Sequence, residues 1–194
     1  LKSGLAVTAL HNHFFFARPQ VYFMHLCGEG QLALLAKGVR SALDTVKEGR
    51  SARAAPAEGF GGQDLPEVSS ISPGPIEMLL GTKAQTNSGM VKVVVGRKVR
   101  APCGCEVGKE MGVNTWAAFG GSDDLAVVDG DFAVLEDELQ PVLKALRQAG
   151  INVVAIHHHM THENPRMLFL HYWGKGRATD LAKAIQSGLR EQKP

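Results

Sequence analysis

Apolar residues along this chain follow two rhythms, one of period two and one of helical period. Leu32, Leu35, Ala36, Val39, Ala42, Leu43 and Val46 fall at helical spacing and predict a helix over 32–47. Leu139, Val142, Leu143 and Leu146 do the same for a helix that Asp137 caps and Gly150 ends, and a closing helix is expected over 178–191. Pro75 and Gly81 bracket a short helix between them. Alternation around Val91, Val93 and Val95 predicts a strand over 90–99, and 115–119 reads as a short strand ended by Gly120-Gly121. Residues 125–135 read as a strand pair or a bent strand, with Asp129-Gly130-Asp131 supplying turn chemistry. Residues 82–89 and 101–106 read as loops.

The period-two pattern has its most informative stretch at Ile156-His157-His158-His159-Met160, followed after 161–165 by Arg166-Met167-Leu168-Phe169-Leu170-His171. Side chains alternate along a strand, so His157 and His159 share one face and His158 takes the other. A hairpin register that sets His157 opposite His171, and His159 opposite Phe169, brings three imidazoles together.

The same pattern occurs a second time, 146 positions earlier. His11 corresponds to His157, His13 to His159, Pro19 to Pro165, His25 to His171, Gly28 to Gly174 and Gly30 to Gly176, with no gap. His158 corresponds to Asn12 and His162 to Phe16, so the repeated set is the same-face triad alone. The expected fold class is α+β with two internal repeats. Each is an antiparallel sheet with helices on one face, in the order β-β-β-α-β-β-α, and the first is truncated at its N-terminus. The expected division is 1–48 for the second half of repeat one, 49–89 for a Gly-, Ser-, Ala- and Pro-rich linker with a short helix, and 90–194 for repeat two. On this reading a missing N-terminal half, or a second copy of the chain, completes repeat one.

Composition narrows the class. The 194 residues are 44% hydrophobic and 21% charged, which suits a globular protein with a sizeable core. A net charge of +2 gives no case for nucleic acid, and no run of some 18 apolar residues suggests a transmembrane segment. Three cysteines are too few for a disulfide scaffold.

The histidines carry the candidate chemistry. His-x-His on one strand with a third His on its neighbour suits a metal site with an open position, so His157, His159 and His171, and their counterparts His11, His13 and His25, are the candidate ligands. Zinc is the expected ion. Copper is the alternative, given Met24, Met160 and Met167 nearby, although these methionines read better as core. The two triads form separate sites or meet across a pseudo-twofold axis in one six-histidine or dinuclear centre. Glu136 and Glu138 are candidate catalytic carboxylates, set against a helix start that is acidic for its dipole. Cys103 and Cys105 form a C-x-C that suits a soft metal or a redox pair. Phe14-Phe15-Phe16 reads as core or interface, and Glu163 and Arg166 as solvent-exposed turn residues.

Several stretches resemble the LppY/LpqO family: 9–15, Tyr22-Phe23-Met24-His25, Pro102-Cys103-Gly104-Cys105-Glu106, Asn114-Thr115-Trp116-Ala117-Ala118-Phe119 and Ile156-His157-His158-His159-Met160-Thr161. That bacterial family, catalogued as a domain of unknown function, has lipoprotein and secreted members, usually longer than this chain and often with an export signal. The resemblance implies a periplasmic or secreted location and brings no activity. Two kinds of function remain: a metal-dependent protein, as a hydrolase or lyase using zinc-activated water or as a metal store, or a non-catalytic envelope module that engages a cell-wall component or small molecule and keeps its histidines as core.

Overall fold

The computed structural model describes residues 5–13, 21–52 and 64–193. In chain order the strands are β1 (Ala6–His11), β2 (Phe23–Cys27), β3 (Ala84–Asn87), β4 (Met90–Gly96), β5 (Val99–Arg100), β6 (Glu106–Val107), β7 (Asn114–Gly121), β8 (Ala126–Leu135), β9 (Asn152–His157) and β10 (Met167–Gly176). The helices are α1 (Leu32–Ala52), α2 (Pro73–Leu80), α3 (Leu139–Gln148) and α4 (Ala178–Leu189). The protein is α+β, built on a six-stranded antiparallel sheet of order β3-β4-β7-β8-β10-β9.

One face of this sheet is apolar and covered by helices. Val91 and Val93 of β4, Phe119 of β7, Val128, Phe132 and Val134 of β8, and Leu170 and Tyr172 of β10 share a core with Ile76 of α2, Leu146 of α3 and Ile185 of α4. Burying side chains of this size contributes about 1.5–3 kcal/mol each. The opposite face carries the intervening residues. Ala133, Met167 and Phe169 pack there against Val99, Val107 and Val113 from the β5–β6 ribbon and the segment after it. The rest of that face holds Asp129, Asp131, His171 and His157, and the β1–β2 hairpin meets it through its histidines.

Several local expectations change. Residues 82–89 contain β3, which pairs with β4. Asp137 does not cap α3; it pairs with Lys193, and Glu138 occupies the N-cap position without a side-chain cap bond. Asp129-Gly130-Asp131 is not a turn, because β8 runs unbroken through it and pairs with β7 and β10 on either side. Gly130 serves a crossing, not a bend. A Cβ there would lie 2.1 Å from the Tyr172 hydroxyl and 2.3 Å from the Trp116 carbonyl, and these two groups are hydrogen-bonded to each other at 2.8 Å.

The two hairpins pair alike. His157 faces Phe169 and His171 faces Ala155; His11 faces Phe23 and His25 faces Ala9. Both ladders skip one residue, Val154 and Thr8, at positions again 146 apart. Such a bulge changes which face the following side chains take. Before it, Val153 packs towards the helix-covered core; after it, Ala155 and His157 point to the other side. Among the described residues the second hairpin is preceded by six strands, β3 to β8, and by α3, where three strands and a helix are expected, and it is followed by α4. The first is followed by α1, whose Leu32, Leu34, Val39, Leu43 and Val46 are exposed.

Candidate metal centre

The register of the second hairpin differs by two residues from the expected one, so His157 lies opposite Phe169 and not His171. Side chains close the connection and stop the ladder early. The Met167 carbonyl accepts from His158 Nδ1 at 2.9 Å, and the Met167 N–H donates to Glu163 at 3.1 Å. Glu163 is therefore buried, contrary to the expected exposed turn residue, while Arg166 is exposed. A two-residue shift preserves parity. His157 and His171 still share a face, and His158 leaves it. His159 lies beyond the end of β9 and stacks on Phe169 with ring centroids 3.4 Å apart.

The structure brings all six candidate histidines together. His11 lies between the hairpins, its ring centroid 4.2 Å from His157, 4.3 Å from His171 and 4.8 Å from His25. His25 stacks on His159 at 4.2 Å, and His13 meets His171 edge-on at 3.8 Å. One donor atom from each of His11, His25, His157 and His171 falls within 4.8 Å of the others, and the same holds for Asp131, His159 and His171. His171 sits at the centre. Its Nδ1 is 3.1 Å from His13 Nδ1; its Nε2 is 3.2 Å from His157 Nε2 and 3.5 Å from Asp131 Oδ2.

Burial sets the charge state. It lowers the pKa of His11 to about 4, with the neighbouring His25 and His13 adding to the effect. His157 falls to about 2 and His159 to about 3 for the same two kinds of reason, and His25 and His171 are lowered as well. At neutral pH these imidazoles are uncharged, the form that offers a lone pair to a metal. Asp131 moves the other way: burial, then the charge of Asp129, raises it to about 8.

Hydrogen bonds among the rings leave atoms over. A neutral imidazole has one N–H and one lone pair. His13 Nδ1 faces the acceptor-only carboxylate of Asp129 at 3.2 Å, which places its hydrogen there. With that hydrogen committed to Asp129, none is left for the 3.1 Å contact between His13 Nδ1 and His171 Nδ1; the His171 hydrogen on Nε2 donates towards His157 Nε2. That puts the His157 hydrogen on Nδ1, which is buried without a hydrogen-bond partner among the described residues. Both ring nitrogens of His11, and Asp131 Oδ1, are in the same position. Each buried group left so costs about 1–3 kcal/mol. A cation would take up the His11 lone pair and Asp131 Oδ1, so this donor set fits a metal ion.

The other candidates lie elsewhere. Glu138, 1% exposed, is held by the Arg97 guanidinium on both oxygens and by the N–H groups of Leu135 and Lys193 at 2.8 and 2.9 Å. Glu136 is exposed. Cys103 and Cys105 are joined in a disulfide, leaving no thiolate pair for a soft metal, and Cys27 is free. Met167 is core, Met160 packs beside it and Met24 is exposed. Phe14, Phe15, Phe16 and Pro19 lie outside the described residues. The carboxylates at the centre are Asp129 and Asp131, which the turn reading had set aside. Their signal was present in the alternation of Asp129, Asp131 and Ala133 with Val128, Gly130, Phe132 and Val134.

A family model described as Domain of Unknown Function (DUF1259) matches residues 1–45 and 74–191. The matched segments contain all six histidines and both aspartates. No curated protein and no solved structure gives a significant match.

Proposed function

The chain belongs to the Domain of Unknown Function (DUF1259) family, and we propose that its histidine cluster binds a transition-metal ion, with zinc the ion of choice. The observation that carries this reading is the environment of His11: four imidazoles, those of His13, His25, His157 and His171, lie around it, it is 9% exposed, and neither ring nitrogen is hydrogen-bonded among the described residues. A core histidine kept for packing would satisfy its N–H. Imidazole donors suit zinc and copper alike; Met167 lies in the core cluster with Met160 packed against it and Met24 is exposed, which favours zinc over copper.

A zinc ion held by neutral imidazoles supplies Lewis acidity, lowering the pKa of a coordinated water to about 7. The chain's own contribution is to hold the rings neutral by burial, and to orient His13 through its hydrogen bond to Asp129. Hydrolysis or a lyase reaction is the chemistry such a centre serves, and metal storage is the same reading without turnover. The resemblance to the LppY/LpqO family supports placing this protein in the bacterial envelope, either periplasmic or secreted, where a cell-wall component or small molecule is its natural ligand.

Metal analysis of protein purified without chelator tests the reading. We expect stoichiometric metal in the native chain and its loss in His11→Ala and His157→Ala. A native chain that holds no metal, and takes none up from a zinc solution, overturns it. Retention on peptidoglycan with and without chelator separates a metal-dependent envelope protein from one that binds cell wall with its histidines as core.

A further inference from the structure

We infer that the Cys103–Cys105 disulfide is a thiol–disulfide exchange site, which takes two electrons from an accessible dithiol and converts it to a disulfide. The inference uses no part of the histidine cluster and stands apart from the metal-binding reading above.

Access comes first. The two cysteines sit in the connection between β5 and β6, and both are exposed among the described residues. Exchange proceeds by attack of a thiolate on one sulfur of the disulfide, so access to the sulfurs governs its rate, and exposed disulfides are the labile ones.

Dispensability is the second consideration. The connection is closed without the cross-link. The Gly104 N–H donates to the Ala101 carbonyl at 2.8 Å, and the Ala101 N–H donates to the Cys105 carbonyl at 2.9 Å. Val99 and Arg100 pair with Val107 and Glu106 on either side. Gly104 supplies the positive φ, 82°, that lets the chain turn between the cysteines. A cross-link stabilises chiefly by restricting the unfolded chain, and the effect grows with the length of loop closed. This one joins residues two positions apart, so its share of stability is among the smallest a disulfide can have. Opening it leaves the turn and ribbon hydrogen bonds in place, with the two thiols held near each other to reclose.

Charge is the third. Lys98 pairs with Glu106 at 2.7 Å, which leaves the Arg100 charge in excess. The Arg100 guanidinium donates to the Gly104 carbonyl, between the two cysteines, at 2.9 Å. A fixed cation beside a leaving thiolate favours its release.

The exchange balances as two displacements. A substrate thiolate attacks one cysteine sulfur, the Sγ–Sγ bond breaks, and the other cysteine leaves as a thiolate with the electron pair. The second substrate thiolate then attacks the substrate sulfur of the mixed disulfide and releases the first cysteine. Two substrate thiols become one disulfide, Cys103 and Cys105 become a dithiol, and the two thiol protons pass through solvent to the cysteines.

The test incubates the folded full chain with an excess of a reduced synthetic peptide carrying two cysteines. Alkylation and mass spectrometry then read both partners. We expect the peptide to leave as its internal disulfide and the chain to gain two alkylated cysteines besides Cys27. The double variant Cys103→Ser/Cys105→Ser, with no peptide present, should unfold at the Tm of the native chain and oxidise no peptide. A disulfide that opens only once denaturant is added overturns the inference, as does a double variant with a lowered Tm, which would make the bond structural. A chain isolated from an oxidising medium with three free thiols overturns it as well.

Discussion

Replacing Glu138 by Gln separates a structural carboxylate from a catalytic one. Glu138 is 1% exposed and receives both arms of the Arg97 guanidinium together with two backbone N–H groups. Burial alone would raise its pKa; the Arg97 contact and the N–H groups of Leu135 and Lys193 more than reverse this and hold it below the ordinary carboxylate value. Removing one member of a buried ion pair costs about 3–5 kcal/mol, because the other is left unpaired. The lower end applies here, since Arg97 keeps 17% side-chain exposure and a bond to the Ala133 carbonyl. For a chain of this size about 3 kcal/mol corresponds to a fall in Tm of roughly 6–12 °C. Thermal unfolding followed by circular dichroism measures it, with bound metal quantified in parallel. We expect a lower Tm and unchanged metal content. An unchanged Tm with lost metal would refute the structural assignment and return Glu138 to the site.

Other outcomes follow from the same structure. Gly130→Ala should destabilise by about 3 kcal/mol or more, seen in denaturant unfolding, because its Cβ meets the Tyr172 hydroxyl and the Trp116 backbone; a nearly neutral effect would return Asp129-Gly130-Asp131 to a turn. In metal-free protein, His11, His157 and His159 have folded pKa values below the unfolded 6.5, so the unfolded chain binds more protons below that pH. Their stabilisation is full above pH 6.5 and is lost as pH falls towards about 4 for His11 and lower for the others. Asp131, raised to about 8, acts with the opposite sign, and its contribution is lost as pH rises towards 8. Tm of the metal-free protein should therefore peak near pH 6.5, with the steeper fall on the acid side. Alkylation of denatured, unreduced protein should modify Cys27 alone, as the mass shift will show.

The sequence made the local features legible and left the long-range ones hidden. Parity alone assigned His157 and His159 to one face, and the 146-residue offset separated the repeated histidines from His158 and His162. The shared bulge at Val154 and Thr8 was invisible, because a bulge is a feature of pairing and not of one strand's pattern. The register slipped by two because Glu163 and His158 take the backbone groups of Met167, a contact that no turn composition encodes. Asp129-Gly130-Asp131 carries strong turn chemistry locally; only the crossing Tyr172 side chain, more than 40 residues on, requires Gly within a strand there. Convergence of the two triads depends on contacts such as that of His13 with His171, 158 residues apart. The sequence allowed one centre or two separate sites, and only the packing of the first hairpin on the sheet decides between them.

X-ray absorption spectroscopy of the zinc-loaded chain examines the central claim most directly. A first shell dominated by imidazole nitrogens at about 2.0–2.1 Å, weakened in His171→Ala, is the predicted result. A shell of water oxygens alone, unchanged in His171→Ala, would contradict it.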